Sequence, residues 1–201
     1  MKSLYLRSGL ALLCAATLAG CGGGGGSMAL LAGITGLTKS GLILTNGPDT
    51  VPVDAGTVSV QFPTLLAPDD QFDIEIKQQP TGAVCTLSSN KNKANAYTVQ
   101  QPLVSCVTNS YSLGGTVSGL TASGLVLANG SDKVSIAPPA TPGASVSFVF
   151  PTKVADGAPF GVTVLAQPKN ADGSQAGTCV ASNNVGTMPS GDALGLIVTC
   201  N

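Results

Sequence analysis

The 201-residue chain contains no histidine and no tryptophan, and its single arginine is Arg7. Histidine is the usual general base and the commonest metal ligand, so its absence removes the catalytic triad and most transition-metal sites. Arginine is the side chain that most often clamps phosphate or carboxylate groups, and none follows Arg7. The chain therefore lacks residue types on which many enzymes and most nucleic-acid-binding proteins depend.

Charge is also scarce, since Asp, Glu, Lys and Arg make up only 9% of the residues and hydrophobic residues make up 43%. Beyond residue 20, seven lysines stand against ten acidic residues, hence a net charge of −3. An acidic chain without arginine is a poor match for nucleic acid, because phosphate and base recognition depend on basic side chains. High hydrophobicity with low charge predicts a folded chain with a sizeable core and argues against disorder.

No apolar run beyond the N-terminal segment approaches the ~20 residues of a membrane-spanning helix. The N-terminal segment has Lys2 and Arg7 before a largely apolar run from Leu10 to Leu18, as secretory signal peptides do. Ala19, Gly20 and Cys21 follow, and this order resembles a bacterial lipoprotein signal. The resemblance implies cleavage directly before Cys21 and lipidation of that cysteine. The alternative is a plain secretory signal with an unrelated cysteine.

Five glycines and Ser27 follow Cys21 and predict a flexible tether over residues 21–28. Each buried methylene contributes about 0.8 kcal/mol to membrane binding, so two or three acyl chains on Cys21 would make a lasting anchor. Gly22 occupies the position at which, in enteric-type bacteria, an aspartate commonly signals retention in the inner membrane. By resemblance to that rule we expect a lipoprotein of the outer membrane, with its surface or periplasmic face left open.

The rest of the chain contains two copies of an internal sequence repeat. Residues 36–49 recur as residues 119–132 at an offset of 83, and both segments contain Ser-Gly-Leu followed by Asn-Gly. Later segments recur at offsets of 88 and 94, so the offset grows twice, in stretches rich in Pro, Gly, Ala and Asn. Insertions confined to such turn-forming stretches belong to loops. The sequence therefore predicts two domains of one fold, over residues 29–108 and 109–201, after a signal peptide over residues 1–20.

Within each copy the hydrophobic residues alternate with period two, as in residues 57–62, 72–77 and 145–150. Such alternation marks strands with one buried face, and beyond the signal peptide no window shows a capped helical period. Asn46-Gly47 and Asn129-Gly130 follow short apolar runs, where the positive φ of a tight hairpin turn favours Asn and Gly. About seven short strands in each copy predict an all-β fold of two tandem immunoglobulin-like β-sandwiches.

Four cysteines remain once Cys14 leaves with the signal peptide and Cys21 carries lipid, and the two in each copy lie 21 residues apart. Of the three ways to pair them, the repeat selects Cys85–Cys106 and Cys179–Cys200, one bond in each copy. We expect each bond to contribute roughly 3 kcal/mol to stability and to persist in an oxidising cell envelope. No metal site is expected, because two cysteines without a histidine are a poor zinc ligand set.

The segment YSLGGTVSGL at residues 111–120, followed by residues 123–130, resembles the opening of a repeat from proteobacterial lipoproteins and large surface proteins. An aromatic strand, a Gln-Pro pair and a closing cysteine are further counterparts, and the resemblance covers residues 30–107 and 111–201. It implies an immunoglobulin-like fold and offers no catalytic residues to carry over, since the family is described as uncharacterised. The first copy departs at residues 29–35, which leaves open how its first strand is seated.

Carboxylates, serines and lysines remain for chemistry. The best carboxylate pair is Asp73 and Glu75, which a strand would place on one face, as the acid and base of a glycoside hydrolase require. The aligned residues of the second copy are Gly161 and Thr163, so the charges are not a property of the shared fold. A solvated outer face, with Lys77 as a further charge, is the favoured interpretation, and a carboxylate-based hydrolase is a remote alternative.

Calcium binds carboxylates and carbonyls on loops, and Asp49 and Asp132 recur in both copies. A turn needs such an Asp equally, and no dedicated calcium-loop spacing is present, so calcium binding by a loop is left open. Lys91 and Lys93 are interpreted as solvated residues of a polar loop.

We expect a non-enzymatic outer-membrane lipoprotein that acts as a binding, adhesion or structural module of the cell envelope, without a cofactor or metal. Its partner would be a protein or a glycan, contacted by the loops that differ between the copies, around Ala137–Pro142 and Asn170–Gly177. Only the lipid on Cys21 would enter the membrane, and no nucleic-acid partner is expected. The alternative is a periplasm-facing accessory subunit of an outer-membrane assembly.

Overall fold

The computed structural model describes residues 27–201, which form eighteen β-strands and one 3₁₀ turn at Thr98–Gln100. The all-β prediction is confirmed. The predicted signal peptide and Cys21 lie outside the described residues. In residues 27–201 no helix is long and apolar enough to span a lipid bilayer.

Eight strands build the first half of the described chain, residues 27–108. They are β1 (Leu31–Thr35), β2 (Leu42–Asn46), β3 (Asp49–Val53), β4 (Ser59–Gln61), β5 (Gln71–Gln78), β6 (Ala83–Ser88), β7 (Lys91–Lys93) and β8 (Leu103–Thr108). One sheet has the order β4-β1-β8-β6 and the other has the order β3-β2-β5-β7. Strands β1 and β8 are parallel, and the other neighbours are antiparallel.

Ten strands lie in the second half, residues 109–201. They are β9 (Ser110–Tyr111), β10 (Leu113–Ser118), β11 (Leu125–Asn129), β12 (Asp132–Ile136), β13 (Val146–Val149), β14 (Val154–Ala155), β15 (Pro159–Ala166), β16 (Cys179–Ser182), β17 (Val185–Thr187) and β18 (Ala193–Cys200). The two large sheets have the orders β13-β10-β18-β16 and β12-β11-β15-β17, and β9 pairs with β14. Strand by strand, the two large sheets repeat the orders of the first half, including the parallel pair β10 and β18.

The strand order differs from that of a constant-type immunoglobulin domain. Here β2 and β3, the second and third strands of the first half, form a hairpin within one sheet, and so do their counterparts β11 and β12. In the constant-type domain the second and third strands lie in opposite sheets. The likeness to immunoglobulin domains is therefore one of architecture, two packed antiparallel-rich sheets, and does not extend to connectivity.

Each half has a core of its own, and the two cores have no residue in common. Burial follows the predicted period of two: on β5, Phe72 and Ile74 are buried and Glu75 is exposed. Fully burying a side chain such as Phe72 contributes roughly 1.5–3 kcal/mol. The largest fully buried side chains are Phe62, Phe72, Leu30, Leu42, Leu44, Ile74 and Val104 in the first half, and Leu113, Leu125, Leu127, Met188 and Val117 in the second.

Strand β1 and its counterpart β10 pair in the same register in the two halves. The departure of residues 29–35 from the repeat therefore does not change how β1 is placed. Ala32 of β1 pairs with Val60, and its counterpart Gly115 of β10 pairs with Phe148. A Cβ atom at Gly115 would overlap the carbonyl oxygen of Leu196 on β18. The Gly-Gly of the second copy therefore reflects a closer approach of backbone there, and the register does not depend on it.

Both predicted hairpin turns are confirmed. Gly47 has φ +55° and Gly130 has φ +60°, values at which a glycine carries no steric cost. The strands on either side pair directly across each turn, Asn46 with Asp49 and Asn129 with Asp132.

The interpretation of Lys91 and Lys93 as loop residues is wrong. They form β7, which pairs with β5 so that Lys91 lies opposite Asp73. Two backbone bonds flank the pairing, from Ile74 N–H to the Asn90 carbonyl at 2.8 Å and from Ala94 N–H to the Asp70 carbonyl at 2.7 Å. Pairing with a longer strand therefore outweighs the weak strand preference of Lys and Asn.

The predicted disulfides, Cys85–Cys106 and Cys179–Cys200, are both present, with S–S distances of 2.04 and 2.05 Å. Each joins an edge strand to its neighbour, β6 to β8 in the first half and β16 to β18 in the second.

Candidate interaction surface

Two glutamines from the Gln-Pro pairs, Gln79 and Gln167, close one side of each sandwich. Cys85 N–H donates to Gln79 Oε1 at 2.7 Å, and Gln79 Nε2 donates to the Cys85 carbonyl at 2.9 Å. Gln167 makes the same two bonds with Cys179, at 2.8 and 3.1 Å. Cys85 and Cys179 lie on the edge strands β6 and β16, so the amide imitates a neighbouring strand for their backbone groups. The recurring glutamines thus serve the fold.

The asparagines of the two hairpin turns also have structural roles. Asn46 Oδ1 accepts the backbone N–H of Asp73 at 2.9 Å, and Asn129 Oδ1 accepts that of Gly161 at 3.0 Å. Each bond ties a turn to the start of the long strand β5 or β15 and satisfies a backbone donor there.

The recurring aspartates, candidates for calcium, are engaged in the same way. Asp49 Oδ2 accepts the backbone N–H of Thr64 at 3.0 Å, and Asp132 Oδ2 accepts that of Thr152 at 3.0 Å. These bonds hold the loop after β4 or β13 against the adjacent hairpin. Within residues 27–201 no group of three or more His, Cys, Asp or Glu side chains is placed to hold a metal ion.

Glycine is required at the residue that directly follows β1 and at the residue that directly follows its counterpart β10. Gly36 has φ +70° and Gly119 has φ +73°. A Cβ at either glycine would overlap the carbonyl oxygen of a disulfide cysteine, Cys106 or Cys200. Both the positive φ and the close approach exclude any other residue without backbone movement.

Asp73 and Glu75, the carboxylate pair considered for hydrolysis, have different surroundings in the structure. Asp73 Oδ2 lies 2.7 Å from Lys91 Nζ, with the two side chains 42% and 71% exposed. The hydrogen bond from Lys91 to Asp73 raises the pKa of that lysine, and the charge of Glu75 adds to the effect. Asp73 and Lys91 border a surface depression of about 320 Å³ beside the β2–β3 turn, and Glu75 does not border it. The two carboxylates therefore do not face one cleft.

A depression of about 410 Å³ lies at the equivalent place in the second half and is bordered by Asp132 and Lys153. Its border repeats that of the first half at Asn129 and Thr152, the counterparts of Asn46 and Thr64, whereas Asp49, the counterpart of Asp132, does not border the first depression. The two depressions follow from the shared fold of the halves.

The loops that differ between the copies were expected to make contacts. Residues 137–142 are mostly exposed and lie between β12 and β13. In the second loop, Ser174 donates from its backbone N–H and its hydroxyl to Asp172 Oδ1, at 2.9 and 2.6 Å. These bonds lower the pKa of Asp172. A bridge between Lys169 and Gln175 closes the base of this loop, so its shape is set by its own hydrogen bonds.

The outer faces of equivalent sheets differ sharply in charge. On the first half, the outer face of β5 and β7 carries Asp73, Glu75, Lys77 and Lys91. Their counterparts on β15 and β17 of the second half, taken in the same order, are Gly161, Thr163, Leu165 and Val185.

Together with two small or apolar residues of β11, these counterparts form what we name the uncharged face: Val126, Ala128, Gly161, Thr163, Leu165 and Val185. Cross-strand pairing places them side by side, Ala128 next to Thr163 and Gly161 next to Val185. Leu165 is 54% exposed and Val185 is 72% exposed, whereas Ala128 is buried beneath its neighbours. The nearest charge on this sheet is Lys133 of β12, opposite Ala128.

Strand β17 leaves the uncharged face open at one edge. It is the last strand of its sheet and pairs only with β15 among the described strands. Asn184 and Met188 direct their backbone groups to β15, through bonds with Val162 and Ala158. By the alternation of a strand, the backbone groups of Val185 and of residue 187 point away from β15 and are free for a further strand.

The sequence holds a signal for this surface that its motifs do not bring out. The replacement of Asp73 and Glu75 by Gly161 and Thr163 argues against catalysis, and Leu165 replaces Lys77 at the same offset. The same replacement, joined to that of Lys91 by Val185, turns a charged face into an apolar one. The link between β15 and β17 needed the sheet order, which the alternation of hydrophobic residues does not supply.

No protein-family model matches the chain, and no curated protein matches it in sequence. The resemblance to the proteobacterial repeat family therefore stays a prediction.

Proposed function

We propose that the chain is a non-enzymatic binding module of the bacterial cell envelope, and that the uncharged face with the β17 edge is where a protein partner docks. One observation carries the proposal. Two sheets of the same topology lie in one chain, and only one of them has exchanged its charged outer residues for Gly, Thr, Leu and Val. Proteins usually protect edge strands with charge, especially lysine, as β7 does with Lys91 and Lys93.

The chemistry of the surface favours a protein over a glycan. An extended segment of a partner could add to β17 through backbone hydrogen bonds and lay alternate apolar side chains on Leu165 and Val185. Sugar hydroxyls need polar side chains around them, and the uncharged face itself offers only Thr163, with Lys133 and Ser135 at its β12 border. The partner chemistry that fits is thus an extended, uncharged protein segment.

Anchoring to the outer membrane through lipid on Cys21 belongs to the same proposal. The predicted tether of residues 21–28 is too long at its end, because Met28 pairs with Leu66 of the first half. The part before Met28 would hold the folded halves close to the membrane while leaving them free to turn. The separate cores support two domains with the boundaries 29–108 and 109–201, each an immunoglobulin-like sandwich in architecture.

Matched variants test the docking surface. Leu165→Lys and Val185→Lys introduce the residues that the first half already has at these positions, so the fold accommodates them. The controls, Lys77→Ala and Lys91→Ala, alter the equivalent face of the first half. A photo-crosslinking residue at Thr163 in intact cells should give one discrete adduct, which the two lysine variants abolish and the two controls retain. An adduct that survives both lysine variants would refute the proposed surface.

The side of the membrane separates adhesion from an accessory role. Protease added to intact cells, with permeabilised cells as control, should degrade the mature chain if it is displayed on the surface, and adhesion would then be the role of the module. Protection until permeabilisation would place the chain in the periplasm. The partner would then be sought in an outer-membrane assembly.

A further inference from the structure

The two halves meet at a junction built around Asn109. The Asn109 N–H donates to the carbonyl of Gly82 in the first half at 2.9 Å, and its carbonyl accepts the N–H of Asp156 in the second half at 2.8 Å. Strand β9 follows directly and pairs with β14, which ends one residue before Asp156. The connecting segment is therefore bonded on both sides.

One side chain crosses this junction. Lys39, in the loop between β1 and β2, donates from Nζ to the Asp156 carbonyl at 2.8 Å and to Asp156 Oδ1 at 2.5 Å. The Lys39 side chain is 22% exposed, and that of Asp156 is 9% exposed. The bond from Lys39 holds the pKa of Asp156 below its ordinary value, and Ser190 lowers it further.

Lys39 is the only cation bonded to the Asp156 carboxylate among the described residues, and the Ser190 hydroxyl adds a weaker stabilisation. Asp156 Oδ2 is buried and meets no donor in hydrogen-bond geometry within residues 27–201. A buried carboxylate that loses its cationic partner keeps its desolvation penalty and loses the attraction that offset it. Opening the junction would be the direct way to return that carboxylate to water.

Backbone packs closely around both members of the pair. A Cβ at Gly82 would lie 2.6 Å from the Asp156 carboxyl carbon, and a Cβ at Gly157 would lie 2.7 Å from Lys39 Nζ. Backbone of both halves therefore packs against the ion pair, as expected of a contact that fixes the orientation of the halves relative to one another.

The pair is not a property of the repeat. At the offset of 83 the counterpart of Lys39 is Ala122, and at the offset of 88 the counterpart of Asp156 is Pro68. Lys39 lies at the end of the first copy that faces the second, and Asp156 lies at the end of the second copy that faces the first. The equivalent positions of the opposite copies carry no charge. Recurring residues such as Gln79 and Gln167 serve each half, whereas this pair serves their relation to one another.

We propose that Lys39 and Asp156 form an ionic lock that fixes the orientation of the two halves. With the lock closed, the connecting segment around Asn109 is held between them. With the lock broken, the halves swivel about this segment and expose it. The inference is independent of the uncharged face and of any partner.

Proteolysis of the full chain by a broad-specificity protease tests the lock, because both disulfides lie within a half. A cut between residues 107 and 111 therefore separates the halves on a non-reducing gel. Cleavage of this kind reports the population of the open form, and removing one member of a buried pair strongly favours opening. Allowing for the partial exposure of Lys39, we expect Lys39→Met to speed this cut by roughly ten- to a hundredfold. Lys93→Met, at an exposed position of β7 away from the junction, should leave the rate unchanged.

A second variant distinguishes a lock from a general loss of packing. Asp156→Asn in the Lys39→Met background removes the stranded charge, so the double variant should be cut more slowly than Lys39→Met alone. Both halves should keep their denaturation midpoints in all variants. Cleavage of Lys39→Met at the wild-type rate would overturn the proposal, as would a double variant that is cut faster than the single one. An intact mass one water below that of the chain with both disulfides would also overturn it, since the pair would then be an amide bond.

Discussion

Removing the amide of Gln79 should destabilise the first half without touching its core. The perturbation is Gln79→Ala, which deletes the donor and the acceptor that meet Cys85 at 2.9 and 2.7 Å. A neutral intramolecular hydrogen bond contributes about 1 kcal/mol net, so the two together predict a loss of about 2 kcal/mol. For a unit of about 80 residues this corresponds to a fall in Tm of roughly 10 °C.

Calorimetry measures the change in Tm, and hydrogen exchange of the Cys85 amide shows whether that donor loses its partner. Gln167→Ala is the matched variant and should lower the transition of the second half by a similar amount. Gln61→Ala, at an exposed position of β4, is the control. A Tm for Gln79→Ala equal to that of the control would refute the idea that the amide acts as a substitute strand.

Gln79→Glu refines the test through pH. Ionised, the new side chain still accepts from Cys85 N–H but turns a second oxygen toward the Cys85 carbonyl. This repulsion raises the pKa of the introduced carboxyl in the folded state. The favourable contribution of the protonated form is then complete below its unfolded pKa of about 4.3 and is lost as pH rises through the folded value. We expect the variant to approach wild-type stability at pH 3 and to fall well below it at pH 7.

Gly119→Ala should destabilise the second half by more than 2 kcal/mol, about the cost of strain at positive φ added to overlap with the Cys200 carbonyl, and denaturant titration would show it. Cys179→Ser should lower the stability of the second half by roughly 3 kcal/mol and leave the first half nearly unchanged, and equal losses in both halves would contradict independent folding. Ser174→Ala should return the pKa of Asp172 toward its ordinary value, as followed by NMR titration. Because the folded pKa of Asp172 is lowered, its contribution is present above the unfolded pKa and is lost as pH falls through the folded one.

The local features of the fold could be predicted because local patterns encode them. The period-two burial of residues 72–77, the turns at Asn46-Gly47 and Asn129-Gly130, and the pairing of cysteines within each copy all depend on residues near in sequence or on the repeat itself. The strand β7 was missed because Lys and Asn give no local sign of a strand. It forms because β5 offers it backbone partners.

The proposed docking surface could be predicted only in part from the sequence. The loss of charge from Glu75 to Thr163 is visible by comparison of the copies. That Leu165 and Val185 share one face depends on the order of β15 and β17 in their sheet, and the alternation within a strand does not name its neighbour.

The sequence by itself determined an all-β chain, its repeat, its turns and its disulfides, and it supports the prediction of a lipid anchor at Cys21. Tertiary structure alone decided that β1 lies parallel to β8, that Lys39 meets Asp156 and that Leu165 and Val185 share one outer face. The division has a physical cause. A side chain's face and a turn's φ are set within a few residues, whereas partners 70 or more positions apart are chosen by how two sheets pack and satisfy their backbone groups.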